Sequence, residues 1–254
     1  MAYSLTWDAT GYDFSDEVET IEWNDSSRIP LEIVPRRHGA IVTEDVVLEP
    51  RTLWLKGAIN SSTVALAESR LNTLKKQMNA GAKQLRFDST RQITAYKSSG
   101  DYNFQEGTGL RGVDYNLMFL AVDPFWYDIT QRSVDQAITY SPFVWAHSNT
   151  GDAFVYPTIS IIADGGGTVS NISINNLTIG KSITFTGTVA SGKTLAIDMA
   201  NFTALNDGVN VLNNMSGSWF HLASGSNIMA IYYTGSAHTV RMVYYPRWFG
   251  PAFQ

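Results

Sequence analysis

The segment Gly187-Thr188-Val189-Ala190-Ser191-Gly192-Lys193-Thr194 matches the phosphate-binding pattern G-x-x-x-x-G-K-[ST] in full. In a true phosphate loop, backbone N–H groups cradle phosphate oxygens at a helix N-terminus and the lysine reaches the outer phosphates. That chemistry needs a strand before the loop and a helix after it. Ser182–Thr186 supplies the strand, but the next residues, Leu195-Ala196-Ile197-Asp198-Met199-Ala200, alternate with a period of two and read as another strand. Gly187–Thr194 is therefore expected to be a β-hairpin turn with Ser191-Gly192 at its tip, and no cofactor-binding residue is assigned.

The other chemistry-bearing residues are scattered. None of His38, His147, His221 and His238 has a histidine or carboxylate at metal-ligand spacing within a helix, so no metal ligand is expected. Serines are plentiful, but no G-x-S-x-G elbow occurs, and no catalytic residue is assigned. Asp8, Asp13, Asp16, Glu17, Glu19, Glu22 and Asp25 crowd the N-terminal end. Paired carboxylates can hydrolyse glycosides, yet charge runs usually form a solvated face, which is the expectation here. Cysteine is absent, which removes disulfides, zinc ribbons, iron–sulfur clusters and thiol catalysis, and fits synthesis in a reducing cytoplasm. The residues thus point to a protein without enzymatic activity or cofactor.

Aromatic residues are the other resource. Of 7 Trp, 12 Tyr and 12 Phe, a group gathers near the C-terminal end: Trp219, Tyr232, Tyr233, Tyr244, Tyr245, Trp248, Phe249 and Phe253. Ring faces stack on sugar rings, so a carbohydrate-binding β-sandwich is the alternative functional reading. Strands and oligomer interfaces use aromatics too, and that use is expected here. The short aromatic tail Tyr244–Pro251 is expected to be docked, with its prolines stopping further pairing.

The elements that must position these residues fall into two parts. Residues 1–130 hold 13 Lys and Arg against 18 Asp and Glu, whereas residues 131–254 hold 5 of each, so the first part carries the whole net charge of −5. That step places a charge-rich domain at 1–130, a connection at 131–142, and a neutral Ser/Thr/Asn/Gly-rich domain at 143–254. In the first part, Ile41, Val42, Val46, Val47 and Leu48 form a β-rich run. Leu53, Leu55 and Ile59 alternate after it, and Glu49-Pro50 suggests two antiparallel neighbours. Val64, Ala67, Leu71, Leu74 and Met78 are spaced as one helix face, which predicts a helix over about 62–80. Ser61 or Ser62 would cap it, Lys75 and Lys76 lie near its end, and Gly81 would stop it. Strands follow at Lys83–Phe87, Arg91–Tyr96 and from Val113, with Val113, Tyr115, Leu117 and Phe119 alternating.

The second part reads as all β. Runs at Thr158–Ala163, Val169–Ile174, Leu177–Ile179, Ser182–Thr186, Thr194–Met199, Trp219–Leu222, Ile228–Tyr233 and Thr239–Tyr245 alternate with Gly, Asn and Asp turns, the pattern of a sandwich or barrel. No run is long and apolar enough to span a bilayer, and Met1–Asp8 lacks the basic and apolar regions of a signal peptide. The negative charge argues against a general nucleic-acid binder.

The ordered set of motifs resembles a known family. Lys56-Gly57-Ala58-Ile59 precedes the helix, and Asp123-Pro124-Phe125-Trp126-Tyr127 closes an alternating strand. There follow Ser191-Gly192-Lys193-Thr194-Leu195-Ala196-Ile197-Asp198, Gly208-Val209-Asn210, Gly217-Ser218-Trp219-Phe220-His221-Leu222, Gly225-Ser226-Asn227, and Val240–Trp248. From about residue 50 to 250 this order resembles the distal tail proteins of long-tailed, non-contractile bacteriophages. The resemblance implies a mainly β chain. Its N-terminal domain would be a tail-tube-like β-sandwich or split barrel with one helix, and its C-terminal domain a galectin-like antiparallel sandwich. It also implies a structural virion protein at the distal end of the tail, made in the bacterial host cytoplasm and without membrane insertion. A homo-hexameric ring, single or stacked in two, would join the tail tube protein to the tail-tip protein and receptor-binding proteins. Phage DNA would pass through its bore without specific binding. The last strand is expected to be able to pack back on the first domain.

Overall fold

A computed structural model describes residues 5–8, 11–24, 27–28, 31–33, 40–42, 47–79, 81–87 and 90–251, without side chains at 27–28, 31–33, 40–42 and 47. His38, Asp25, Val46 and Phe253 lie outside these residues. The chain divides into two units, Met1–Trp126 with Gly250–Gln254, and Tyr127–Phe249.

In unit 1 the strands are β1 (Leu5–Trp7), β2 (Tyr12–Asp13), β3 (Val18–Trp23), β4 (Ser27–Arg28), β5 (Leu31–Ile33), β6 (Ala40–Val42), β7 (Val47–Leu48), β8 (Arg51–Asn60), β9 (Lys83–Phe87), β10 (Arg91–Phe104) and β11 (Gly112–Ala121). β12 (Trp126–Asp128) runs across the unit boundary. The main strand order is β2-β1-β9-β10-β11-β8-β3, antiparallel throughout. β11 and β8 pair from Gly112 opposite Asn60 to Ala121 opposite Arg51, in unbroken register. Period-two alternation puts Val113, Tyr115, Leu117 and Phe119 with Leu53, Leu55 and Ile59 inside. β10 is shared between partners: Arg91–Ala95 pair with β9, Tyr96–Phe104 pair with β11 around a bulge between Lys97 and Ser99, and β12 also pairs with it. A bulge bends a strand and increases its twist, which lets one strand turn a sheet's corner.

Helix α1 (Val64–Met78) lies against β2, β8 and β11. It buries Ala67, Leu71, Leu74 and Met78, as the spacing predicts, whereas Val64 in the first turn is exposed. A buried leucine of this kind contributes about 1.5–3 kcal/mol. The cap is Thr63, not Ser61 or Ser62: its hydroxyl accepts from the Leu66 N–H at 3.2 Å. Trp7 reaches over to the same helix. Its ring stands 4.8 Å from that of Phe119, and its indole N–H donates to the Gln77 carbonyl at 3.3 Å. One expected pairing is corrected. β7 and β8, on either side of Glu49-Pro50, are not neighbours; β7 pairs with β4, and β8 pairs with β3 and β11. Pro50 has no N–H and a fixed φ, so it does not close a two-residue hairpin turn.

Unit 2 contains β13 (Arg132–Ile138), β14 (Phe143–Asn149), β15 (Thr158–Ile162), β16 (Val169–Asn176), β17 (Lys181–Val189), β18 (Thr194–Asp198), β19 (Thr203–Asn206), β20 (Val209–Asn210), β21 (Met215–Gly217), β22 (Gly225–Gly235), β23 (His238–Tyr244) and β24 (Arg247–Trp248). All but β24 form two antiparallel sheets, β13-β23-β15-β18-β19-β20 and β14-β22-β16-β17-β21. The core takes Ile159, Ile161, Leu195, Ile197, Val240 and Met242 from the first sheet. Ile172, Ile174, Ile183, Phe185, Met229 and Ile231 come from the second. Residues 131–142, read as a connection, instead hold β13, which pairs along its length with β23 and carries the bidentate Arg241–Asp135 ion pair. Leu177–Ile179 is a turn rather than a strand, because the Asn176 side chain accepts from the Thr178 N–H at 3.1 Å and Gly180 at φ 64° ends it. Trp219–Leu222 is not a strand either; its β-pairing among the described residues is an isolated bridge from Leu222 to Val155.

Candidate functional site

The phosphate-loop match joins β17 to β18. These two strands belong to different sheets: β17 pairs with β16 and β21, and β18 pairs with β15 and β19. The expected hairpin is therefore a crossover turn between the two sheets of the sandwich. The turn is closed by Lys193 N–H donating to the Ala190 carbonyl at 3.0 Å, and it is tied to β15 by Gly192 N–H donating to the Ala163 carbonyl at 2.7 Å. Gly192 sits at φ 75°, a left-handed conformation that glycine takes without penalty. Lys193 points its ammonium to Asp207 at 2.6 Å, in the Asp207-Gly208 turn between β19 and β20. The segment after the loop is a strand, so the N–H groups converge on no helix N-terminus.

The described histidines are placed apart. His147 is buried on β14, its Nε2 3.2 Å from the Tyr244 hydroxyl. Burial, aided by Arg132, holds its pKa down to about 4. His238 is buried at the start of β23, edge-on to Tyr233 at 4.4 Å, and burial lowers its pKa too. His221 lies among the rings of Phe154 and Tyr156, at 5.0 and 5.9 Å. Among the described residues no group of three or more His, Asp or Glu is arranged to hold a metal ion.

The acidic N-terminal run separates into different environments. Asp13, Asp16, Glu19 and Glu22 are exposed, as a solvated face requires, and Asp8 pairs with Lys83 at 2.7 Å. Glu17 departs from the expectation. Its side chain is 4% exposed, accepts from the Tyr12 hydroxyl at 2.8 Å, and pairs with Arg70 of α1. Burial pushes its carboxyl above the ordinary glutamate range, against the lowering effects of Tyr12 and Arg70. Glu17 and Arg70 are 53 residues apart, and no local spacing signals their pairing.

The ordered motifs of unit 2 turn out to build loops. Asn227 accepts from the Ala223 N–H at 2.8 Å and donates to the Ala223 carbonyl at 2.9 Å. Asn176 donates to the Asn227 side chain at 3.2 Å and to the His221 carbonyl at 3.1 Å. Asn149 donates to the Ala153 carbonyl at 2.9 Å and accepts from the Gly151 N–H at 3.1 Å. All three are buried, and they satisfy loop backbone groups that water cannot reach. The aromatic group divides. Tyr244 is in the core and Trp219 and Tyr233 pack against it, while Tyr232, Tyr245 and Phe249 are exposed. Trp248 donates to Asp128 at 2.7 Å, and the Phe249 N–H to Asp152 at 2.9 Å, so these two residues are tied down within unit 2.

Residues 150–248 match the family model of the siphovirus-type tail component, C-terminal domain. No curated protein matches the chain. Among solved structures, the chain is similar to the SPP1 Dit (gp 19.1) protein, described as a paradigm of hub adsorption apparatus in Gram-positive infecting phages. The TM-score is 0.73 at 14% identity, over 96% of this chain and 99% of that one. At that identity the likeness is one of fold. A chain of the phage P2 baseplate, in its activated conformation with Ca, aligns with a TM-score of 0.46 at 9% identity, over 95% of this chain and 98% of that one. Residues 150–248, which lie within the second unit, are thus similar to the C-terminal domain of siphovirus-type tail components.

Proposed function

We propose that the protein is a structural hub at the distal end of a phage tail. Six copies close into a ring that joins the tail tube to the tip and offers attachment to tip or receptor-binding proteins. The observation that carries this reading is the tail-component match of residues 150–248, and the hub-protein fold over nearly the whole chain supports it. A ring of this kind needs a heterologous, head-to-tail interface whose rotation closes. Unit 1, tail-tube-like, supplies the ring contacts, and unit 2, a galectin-like sandwich, stands at the periphery. The chemistry supports a role without catalysis: Lys193, Glu17, His147 and Arg241 are each engaged by a structural partner. Charge supports the conduit. At −5 per chain, six copies give about −30, which repels phosphates and keeps DNA from sticking.

Light scattering on the purified chain over a concentration series, with negative-stain images of the main peak, tests the reading. Six chains of 28.1 kDa, about 169 kDa, or twice that, with ring views, is the expected result. A monomer at every concentration that also fails to form rings on purified tail tubes would overturn it.

A further inference from the structure

Phe202 stands at φ 55° with 56% of its surface exposed. A bulky residue in the left-handed region costs on the order of 1–3 kcal/mol, and an exposed ring returns little burial to offset that. The loop nevertheless holds it there. Asp198 Oδ1 accepts from the N–H groups of Ala200 and Asn201 at 2.9 and 3.0 Å, and Asn201 Nδ2 donates to Asp198 Oδ2 at 2.8 Å. The Phe202 ring is edge-on to that of Trp219, 5.7 Å away at 87°. Trp219 in turn lines a groove of about 240 Å³ with Ile183, Leu212, Met215, Ser216 and Gly217. The strained phenylalanine and the groove are independent observations, and Trp219 belongs to both.

We infer that this groove is a saccharide subsite of unit 2, taking one uncharged pyranose ring against Trp219 with Phe202 as the flanking wall. The lining contains no charged side chain, so an ionised ligand would find no counter-charge. The volume lies below the range of about 300–1,000 Å³ typical of drug-sized ligands and suits a single ring. The indole carries a negative face that attracts the polarised C–H bonds on the apolar side of a sugar. Ser216 and Gly217, also in the lining, lie on β21, the edge strand of its sheet, and add a hydroxyl and backbone polar groups to the groove. A hydroxyl-bearing ring uses both the indole face and these polar groups, whereas an aliphatic peptide side chain uses only the first. The inference does not rest on ring assembly.

Saturation-transfer NMR on the full chain tests it. The probes are methyl β-D-glucopyranoside, methyl β-D-galactopyranoside and N-acetyl-D-glucosamine, each up to about 10 mM. At least one is expected to bind with a Kd on the order of 1 mM, and Trp219→Ala and Phe202→Gly should each weaken it about tenfold or more. Phe202→Gly relieves the left-handed strain, so its Tm should stay level or rise, which separates lost binding from lost folding. No transfer to any probe at about 10 mM, or binding kept within about twofold in both variants, would overturn the inference.

Discussion

Arg70→Met removes the cation facing Glu17 while keeping most of the aliphatic stem on the helix surface. It leaves a carboxylate with 4% side-chain exposure and one remaining donor, the Tyr12 hydroxyl. Breaking one side of a buried pair costs about 3–5 kcal/mol. Arg70 itself is 39% exposed, so water screens part of the interaction, and the low end, about 3 kcal/mol, is expected near pH 8. For a unit of this size that is a fall in Tm of roughly 10 °C. The pH dependence has a definite sign. Burial raises the Glu17 value in the folded state, so the folded chain holds this proton more tightly than the unfolded chain. The contribution of Glu17 is therefore fullest below the ordinary glutamate range and declines as pH rises through the folded value. Without Arg70 that value climbs further, so the cost of Arg70→Met should shrink at about pH 5. In a Glu17→Gln background, where no charge is stranded, Arg70→Met should cost less than about 1 kcal/mol. Calorimetry of the full chain, following the transition of unit 1 at both pH values, measures all three. A cost below about 1 kcal/mol at pH 8, or an equal cost with and without Glu17, would refute the reasoning.

Two further outcomes follow from packing and burial. A Cβ at Gly57 would lie 2.3 Å from the Glu17 carbonyl oxygen and 2.5 Å from the Tyr115 hydroxyl, so Gly57→Ala should cost about 2 kcal/mol or more. A variant that melts with the parent contradicts this contact. His147, held at about 4 by burial, is neutral at neutral pH; its folded value is depressed, so its stabilising contribution is full above about pH 6.5 and is lost as pH falls toward 4. NMR titration of the imidazole rings should show His147 unchanged from about pH 7 to pH 5, and a midpoint near 6.5 would contradict its burial.

Features set by local periodicity were legible in the residues themselves. Leu71, Leu74 and Met78 declared a buried helix face, and Val113 to Phe119 a half-buried strand, because each pattern depends on neighbours a few positions away. Partnerships across long separations were not legible. Nothing near Val47 says that its strand joins Ser27–Arg28 rather than β8, and nothing near Glu17 points to Arg70. Leu177-Thr178-Ile179 has strand composition, and a single side-chain acceptor from Asn176 makes it a turn. The phosphate-loop match is a coincidence of packing needs. Gly187 leaves room for the Phe185 ring, where a Cβ would come within 2.6 Å, and Gly192 supplies the positive φ of the crossover. Of the aromatic group, the residues carried the abundance, but the pairing of Trp219 with Phe202 needed the loop geometry around Asp198.

The pairing of β1 with β9 has a consequence for how the chain is made. Leu5 lies opposite Phe87 and Trp7 opposite Leu85, so β1, which has β2 close behind it on one edge, waits for its mate on the other edge until some 80 residues later in the chain. At a synthesis rate of roughly 5–20 residues per second, that wait is about 4–16 s. During it Trp7, fully buried in the finished unit, remains without its cover. The same unit is completed later still. Arg91 donates to the Gly250 carbonyl at 2.7 Å, a bond that cannot form until residue 250 has left the ribosome. Unit 1 is thus begun first and sealed last, and the time at which it is complete is set by translation of unit 2 as much as by its own folding.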